Sequence, residues 1–162
     1  MSKKLEPKNH YSIGVISDTH GHMPPGLTSA FKDVDLIIHA GDIGEEAVLR
    51  KLSKIAPVAA VRGNMDYGKW TAPLPDTETI EIGQIVLYVL HIAHQLAGDP
   101  AKTGYKAVIS GHTHRADIHE NKGVVYINPG SASYPKFGHP PSVALIRIKG
   151  DDLSVKLVPL KN

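Results

Sequence analysis

Short apolar runs rich in β-branched residues recur along the chain, and each stops abruptly at a polar residue. Residues 12–17 precede Asp18, 36–41 precede Asp42, 58–63 precede Asn64, 85–90 precede His91 and 107–111 precede His112. Runs this short, with little polar alternation, fit strands buried on both faces. The intervals between the terminating residues, 24, 22, 27 and 21, give a βαβ rhythm in the first half. Helices fit between the early runs, a short one at 27–34 and a clearer one at 45–55, where Ala47, Val48, Leu52 and Ile55 form an apolar stripe. Glu45 and Glu46 open the second helix, Arg50, Lys51 and Lys54 close it in accord with the helix dipole, and Pro57 ends it.

The second half changes period. Residues 79–82 and 85–87 flank Gly83-Gln84, 115–120 and 124–128 flank Asn121-Lys122-Gly123, and 143–148 and 153–158 flank Gly150-Asp151-Asp152. These are hairpin signals. Between them, Gly98 and Pro100 allow at best a short helix before Gly104. The pattern predicts an α/β fold in which βαβ units are followed by antiparallel hairpins. The 162 residues are expected to make a single domain, with residues 1–9 and 161–162 flexible. In open α/β sheets the ligand site lies beyond the carboxyl ends of the strands, so the five runs would each deliver one ligand-type residue there.

Composition narrows the chemistry. With no cysteine there is no disulfide, zinc-finger or iron–sulfur framework and no thiol nucleophile, so any metal must be held by nitrogen and oxygen. A net charge of +2, spread along the chain, gives no strong nucleic-acid signature and no polybasic membrane surface. Hydrophobic residues make up 41% and charged residues 21%, as in an ordinary globular protein. No run is long enough to span a membrane, and residues 1–8 lack an apolar signal core, so a cytoplasmic location is expected.

Each strand-end fragment is commonplace alone. Asp18-Thr19-His20, Gly41-Asp42 and Gly63-Asn64-Met65-Asp66 would pass as turns, and His91 as a core histidine. Gly111-His112-Thr113-His114 is stronger, because two imidazoles in an extended loop can face one or two ions. Together the fragments offer Asp18, His20, Asp42, Asn64, His91, His112 and His114 at the same position relative to their strands. Four imidazoles, two carboxylates and an amide oxygen are too many for one four-coordinate ion and enough for two. A shared carboxylate would hold such ions the roughly 3.5–4 Å apart at which two-metal hydrolases work.

The order Asp-x-His, Gly-Asp, Gly-Asn-x-Asp, His, Gly-His-Thr-His resembles the calcineurin-like metallophosphoesterase superfamily. Residues 17–21, 63–66 and Asn128-Pro129-Gly130-Ser131 look like its small single-domain prokaryotic phosphodiesterase branch. The resemblance implies a four-layer α/β/β/α sandwich, and a phosphoesterase that more readily cleaves diesters than monoesters. It implies Asp18, His20 and His114 on one divalent ion, Asn64, His91 and His112 on the other, and Asp42 bridging. Mn²⁺ is the first choice of metal, with Fe, Ni²⁺ or Zn²⁺ compatible. A metal-bridging hydroxide would attack phosphorus in line, and Asn64 would touch both a metal and a phosphate oxygen.

Three departures qualify the likeness. Met65 stands where many relatives carry a histidine that assists the leaving group, so the proton would come from water, Asp66 or His94. Ile92 follows His91 where glycine is usual, which makes His94 the substitute candidate for the fourth motif. The stretch from His91 to Gly111 is short, so its helix is expected to be trimmed and the site open. Asn128 and His94 are candidate substrate contacts, His39 reads as a hydrogen-bonded core residue, and Trp70 as part of a packed loop. The partner expected is a small phosphoester substrate, with a homo-oligomer possible in principle. The alternative reading is a non-catalytic protein-binding scaffold of the same fold, similar to the small retromer subunit, against which the intact Asp18 and His20 argue.

Overall fold

The computed structural model describes residues 2–160. Three of the buried runs become neighbouring parallel strands, β2 (His10–Ile16), β3 (Leu36–His39) and β4 (Val58–Ala60), with Ile13 opposite Leu36 and Ile37 opposite Val58. The last hairpin, β10 (Ser142–Lys149) and β11 (Asp152–Pro159), adds antiparallel on the other side of β2, giving the order β11-β10-β2-β3-β4. A second sheet has the order β1-β5-β6-β7-β9-β8. It holds β1 (Ser2–Lys4), the hairpin β5 (Thr77–Ile82) with β6 (Ile85–Leu90), β7 (Ala107–Ile109), and the hairpin β8 (Ala116–Asn121) with β9 (Val124–Pro129). The β8–β9 turn pairs Asn121 with Val124, and its two central residues, Lys122 (φ 53°) and Gly123 (φ 80°), both take the positive φ that a tight hairpin requires.

The sheets face each other across one apolar layer. Ile13, Val15, Leu36 and Ile38 from the first sheet meet Ile80, Leu87, Val89, Ile109 and Ile127 from the second. The first sheet's outer face is covered by α1 (Leu27–Ala30) and α2 (Glu46–Ser53), whose Leu27, Val48 and Leu52 pack with Phe31 against Ile16, Ile37 and Val143. The first helix stops well before residue 34, because Asp33 turns the chain with φ 65°. Among the described residues, the second sheet's outer face carries a 3-10 turn (Ala93–Gln95) and α3 (Pro100–Thr103), with Leu96 and Ala101 packed against Leu90, Val108 and Val124. The four-layer plan is therefore present with its last layer trimmed, as the short stretch after His91 predicts.

The N-terminal residues add an edge to the second sheet. Residues 2–4, read as flexible, form an edge strand parallel to β5, with Lys4 paired to Glu81 at 3.1 Å and Leu5 packed on the central apolar layer. A free sheet edge offers backbone hydrogen bonds whatever the side chains, so hydropathy gives no signal for it. Residues 161–162 lie outside the described residues. Trp70 packs partly buried on the α1–α2 layer, as expected of a packed loop. No helix among the described residues is long and apolar enough to cross a membrane.

Candidate metal centre

Five of the seven strand-end candidates sit in left-handed backbone: Asp18 (φ 56°), His20 (φ 46°), Asp42 (φ 54°), His112 (φ 75°) and His114 (φ 60°). Non-glycine residues adopt this region at a cost of order 1–3 kcal/mol each, and such strain collects where side chains must be aimed. The loops that aim them are crowded. A Cβ on Gly63 would lie 2.1 Å from the Asp42 amide nitrogen, and one on Gly111 would lie 2.0 Å from Ser17 Oγ. The Gly of Gly-Asn and of Gly-His is thus required by close approach of neighbouring strand ends.

The side chains converge in two groups, Asp18 with His20 and His114, and Asp42 with His91 and His112, each with ligand-type atoms within 4.8 Å of one another. In the first, His114 Nε2 is 3.3 Å from His20 Nε2 and 3.4 Å from Asp18 Oδ1. In the second, His91 Nε2 is 3.3 Å from Asp42 Oδ2. The groups touch through their carboxylates, for Asp42 Oδ2 is 3.7 Å from His20 Nε2 and Asp18 Oδ1 is 3.9 Å from His91 Nε2. Asn64 Oδ1 joins the second group 3.2 Å from His112 Nδ1.

Supporting bonds leave these atoms facing inward. His91 Nδ1–H donates to the Ala40 carbonyl at 2.7 Å and His114 Nδ1–H to the Tyr134 carbonyl at 2.6 Å, which turns each Nε2 lone pair toward the group. Asp18 Oδ2 accepts from Ser17 Oγ at 2.7 Å and from the His112 amide at 3.0 Å, and Asp42 Oδ1 from the Met65 amide at 2.9 Å. Among the described residues, Asp18 Oδ1 and His91 Nε2 are buried side-chain atoms without a hydrogen-bond partner. Unpaired acceptors of this kind are costly in a protein interior and suit a bound cation.

The electrostatics agree. Burial pushes the Asp18 carboxyl above its ordinary pKa, against the pull of His91. Burial also works against charge on Asp42 and His91, but the two offset it for each other: Asp42 is held below its usual value, and Asp42 with Asp18 holds His91 above its own. His112 is lowered by burial and by nearby His91. His39, buried at 0% exposure, is lowered to about 3, by burial first and then by His91. It accepts from the Gly41 amide at Nδ1 (3.1 Å), so Nε2–H donates to Thr19 Oγ1 (3.0 Å), which donates on to the Ile43 carbonyl (2.9 Å). A neutral imidazole thus ties the Asp18–His20 loop to the Asp42 loop.

Not every candidate is free to act. Asp66 Oδ2 accepts from the Ile43 (3.1 Å) and Gly63 (2.9 Å) amides and Oδ1 from the Gly44 amide (2.9 Å). With both oxygens accepting from backbone N–H donors, Asp66 clamps two loops together. Asn128 Nδ2 donates to the Gly111 carbonyl (3.0 Å) and Thr113 Oγ1 (3.1 Å), while Oδ1 accepts from the Gly130 amide (3.0 Å). It braces the His112 loop through these bonds. His94 is exposed on the 3-10 turn and is in neither group, whereas His91 is in the second.

Two further contributors are not among the candidate site residues read from the sequence. Ser131 Oγ donates to the Asp18 carbonyl (2.8 Å) and accepts from the Tyr134 amide (2.7 Å), and the Tyr134 ring stands edge-on to His20, centroids 5.8 Å apart. Their roles arise from contacts more than a hundred residues apart in the chain, although Ser131 falls within the Asn-Pro-Gly-Ser motif.

Residues 11–151 match the model of the calcineurin-like phosphoesterase superfamily domain. The chain belongs to this superfamily. It is 39% identical over 157 residues to a probable metallophosphoesterase of Methanothermobacter thermautotrophicus, covering 90% of this chain and 91% of that protein. It is 32% identical over 136 residues to a phosphodiesterase of Methanocaldococcus jannaschii, covering 73% and 82%. Vacuolar Protein Sorting 29 from Cryptosporidium parvum has the same fold, with a TM-score of 0.81 at 19% identity over 96% of this chain and 94% of that one. The superfamily hydrolyses phosphoesters with divalent metals, and the two side-chain groups are of the kind that holds such ions.

Proposed function

We propose that the chain is a dinuclear metal-dependent phosphoesterase that acts on phosphodiesters. The observation that carries this reading is the place of Asp42, whose Oδ2 lies 3.3 Å from His91 Nε2 and 3.7 Å from His20 Nε2, within reach of one imidazole from each group. Asp18, His20 and His114 would hold one ion, Asn64, His91 and His112 the other, and Asp42 both. The donor set of nitrogen and hard oxygen suits Mn²⁺ first, with Fe, Ni²⁺ and Zn²⁺ compatible. When bound, such ions polarise phosphoryl oxygens and lower the pKa of a water toward about 7, the nucleophile for in-line attack.

The chain's own residues set the rest. Asn64, exposed beside His112, would contact a phosphate oxygen as well as an ion. With Met65 unable to donate a proton and Asp66 tied to three amides, the leaving group would take its proton from water or from His94. Good leaving groups should therefore react fastest. The relative named a phosphodiesterase supports diester over monoester. The scaffold alternative draws on the fold shared with Vacuolar Protein Sorting 29, but the complete, inward-facing carboxylate and imidazole set favours catalysis. The test is hydrolysis by the Mn²⁺-loaded protein. Bis-(p-nitrophenyl) phosphate should be cleaved with higher kcat/KM than p-nitrophenyl phosphate. No cleavage of either with metal bound would overturn the reading.

A further inference from the structure

Large apolar side chains with high exposure are concentrated on two loops next to the candidate metal ligands. Met65 (50%), Tyr67 (74%), Tyr134 (50%) and Phe137 (72%) lie on two loops, while Leu157 (37%) is the one such residue elsewhere among those described. One loop stands beside each group of candidate ligands. Met65 follows Asn64 and its amide donates to Asp42 Oδ1 at 2.9 Å. Tyr134 stands edge-on to His20 and its carbonyl fixes His114.

Phe137 is the outlier. A bulky residue with φ 59° is uncommon, yet this one keeps its ring in solvent, with the Arg115 guanidinium 4.9 Å from the ring centroid. Arg115 directly follows His114, so the ring is tethered to the ligand-bearing loop. Arg115 also lines a cavity of about 390 Å³ with Thr113, His119, Tyr126 and His139. Isolated exposed apolar residues need no explanation, but four on the two loops bordering one centre do.

We propose that these rings form an aromatic rim that stacks on ring-bearing ester groups, so that the preferred substrates are aryl or nucleoside phosphodiesters. This rests on the phosphodiesterase reading. A phosphoryl group held between the two side-chain groups would have one of these loops beside each group, and a diester has two ester groups to place. Aromatic faces favour a flat π-system over a small alkyl group, and stacked rings are sequence-tolerant platforms for any base. The Arg115 donors favour a ring that carries polar atoms.

The test uses three diesters sharing one leaving group: methyl, phenyl and thymidine 5′- p-nitrophenyl phosphate. The wild-type Mn²⁺ protein should prefer phenyl and thymidine over methyl by about tenfold in kcat/KM, the size expected for one stacked ring. Phe137→Ala and Tyr67→Ala should each cut that ratio at least about threefold, through KM, with bound metal still at wild-type level. A wild-type ratio near one, or a ratio that survives both substitutions, overturns the rim; the latter result would leave a protein-contact surface as the role of these loops. Calorimetric binding of diphenyl against dimethyl phosphate to the Mn²⁺ protein reads the same preference without turnover. Loss of all hydrolysis with a retained binding ratio would defeat the hydrolase reading alone, and hydrolysis without any ratio would defeat the rim alone.

Discussion

His91 Nε2 lies 3.3 Å from Asp42 Oδ2 while its Nδ1–H donates to the Ala40 carbonyl at 2.7 Å, so one ring links the end of β6 to the loop after β3. His94, three residues on, is exposed and outside both groups. His91→Ala should therefore lower metal affinity by more than the roughly 10–100-fold that loss of a supporting hydrogen bond costs, and His94→Ala should leave metal content intact. Metal analysis of both variants after gel filtration checks this. Equal losses would contradict the assignment of the fourth motif.

Asp66 is expected to act through the loops it clamps. Asp66→Asn replaces an acceptor of amide protons by a donor and leaves at least one buried N–H unpaired, for a cost of about 1–3 kcal/mol. Urea unfolding reads the stability loss. Turnover of diesters with good and poor leaving groups should fall by the same factor, whereas a residue donating the proton would spare the good ones.

His39 makes the protein acid-sensitive. Its folded pKa of about 3 lies below the unfolded value near 6.5, so both states are neutral above pH 6.5 and only the unfolded state takes up the proton below it. Stability from this group is full above about pH 6.5 and declines as pH falls toward 3, by about 1.4 kcal/mol per pH unit. Nitrogen NMR shifts of the His39 ring should stay those of a neutral Nε2–H tautomer down to pH 4. Titration near pH 6.5 would contradict the buried, doubly bonded placement.

Metal removal should loosen the centre, because Asp18 Oδ1 and His91 Nε2 are left without partners. Saturating Mn²⁺ at a hundredfold excess over Kd should stabilise the fold by about 2.7 kcal/mol for each ion bound, and a chelator should reverse both this and activity. Melting temperature against free Mn²⁺ concentration provides the measurement. An unchanged melting temperature would contradict a preformed site.

Much of this arrangement is legible in the sequence because β2, β3 and β7 are buried almost throughout and all five runs end at the site. The runs ending at Asp18, Asp42, Asn64, His91 and His112 gave both the β-strands and the candidate ligands, and the hairpins announced themselves through turn residues. What could not be read is set by distant contacts. Strand β1 pairs through backbone alone, Asp66 and Asn128 spend their polar atoms on amides and carbonyls of other loops, and Tyr134 reaches His20 across the fold. A free carboxylate and a tied one look alike in sequence. His39 was the exception, since a histidine inside an apolar strand must satisfy both ring nitrogens wherever it is buried.

The central claim is a pair of ions shared through Asp42, and counting ions per chain alongside turnover tests it most directly. Equilibrium Mn²⁺ titration of the wild-type protein should give two ions per chain with hydrolysis of bis-(p-nitrophenyl) phosphate, and Asp42→Ala should lose metal and activity together. Full activity at one ion per chain, or wild-type activity in Asp42→Ala, would contradict it.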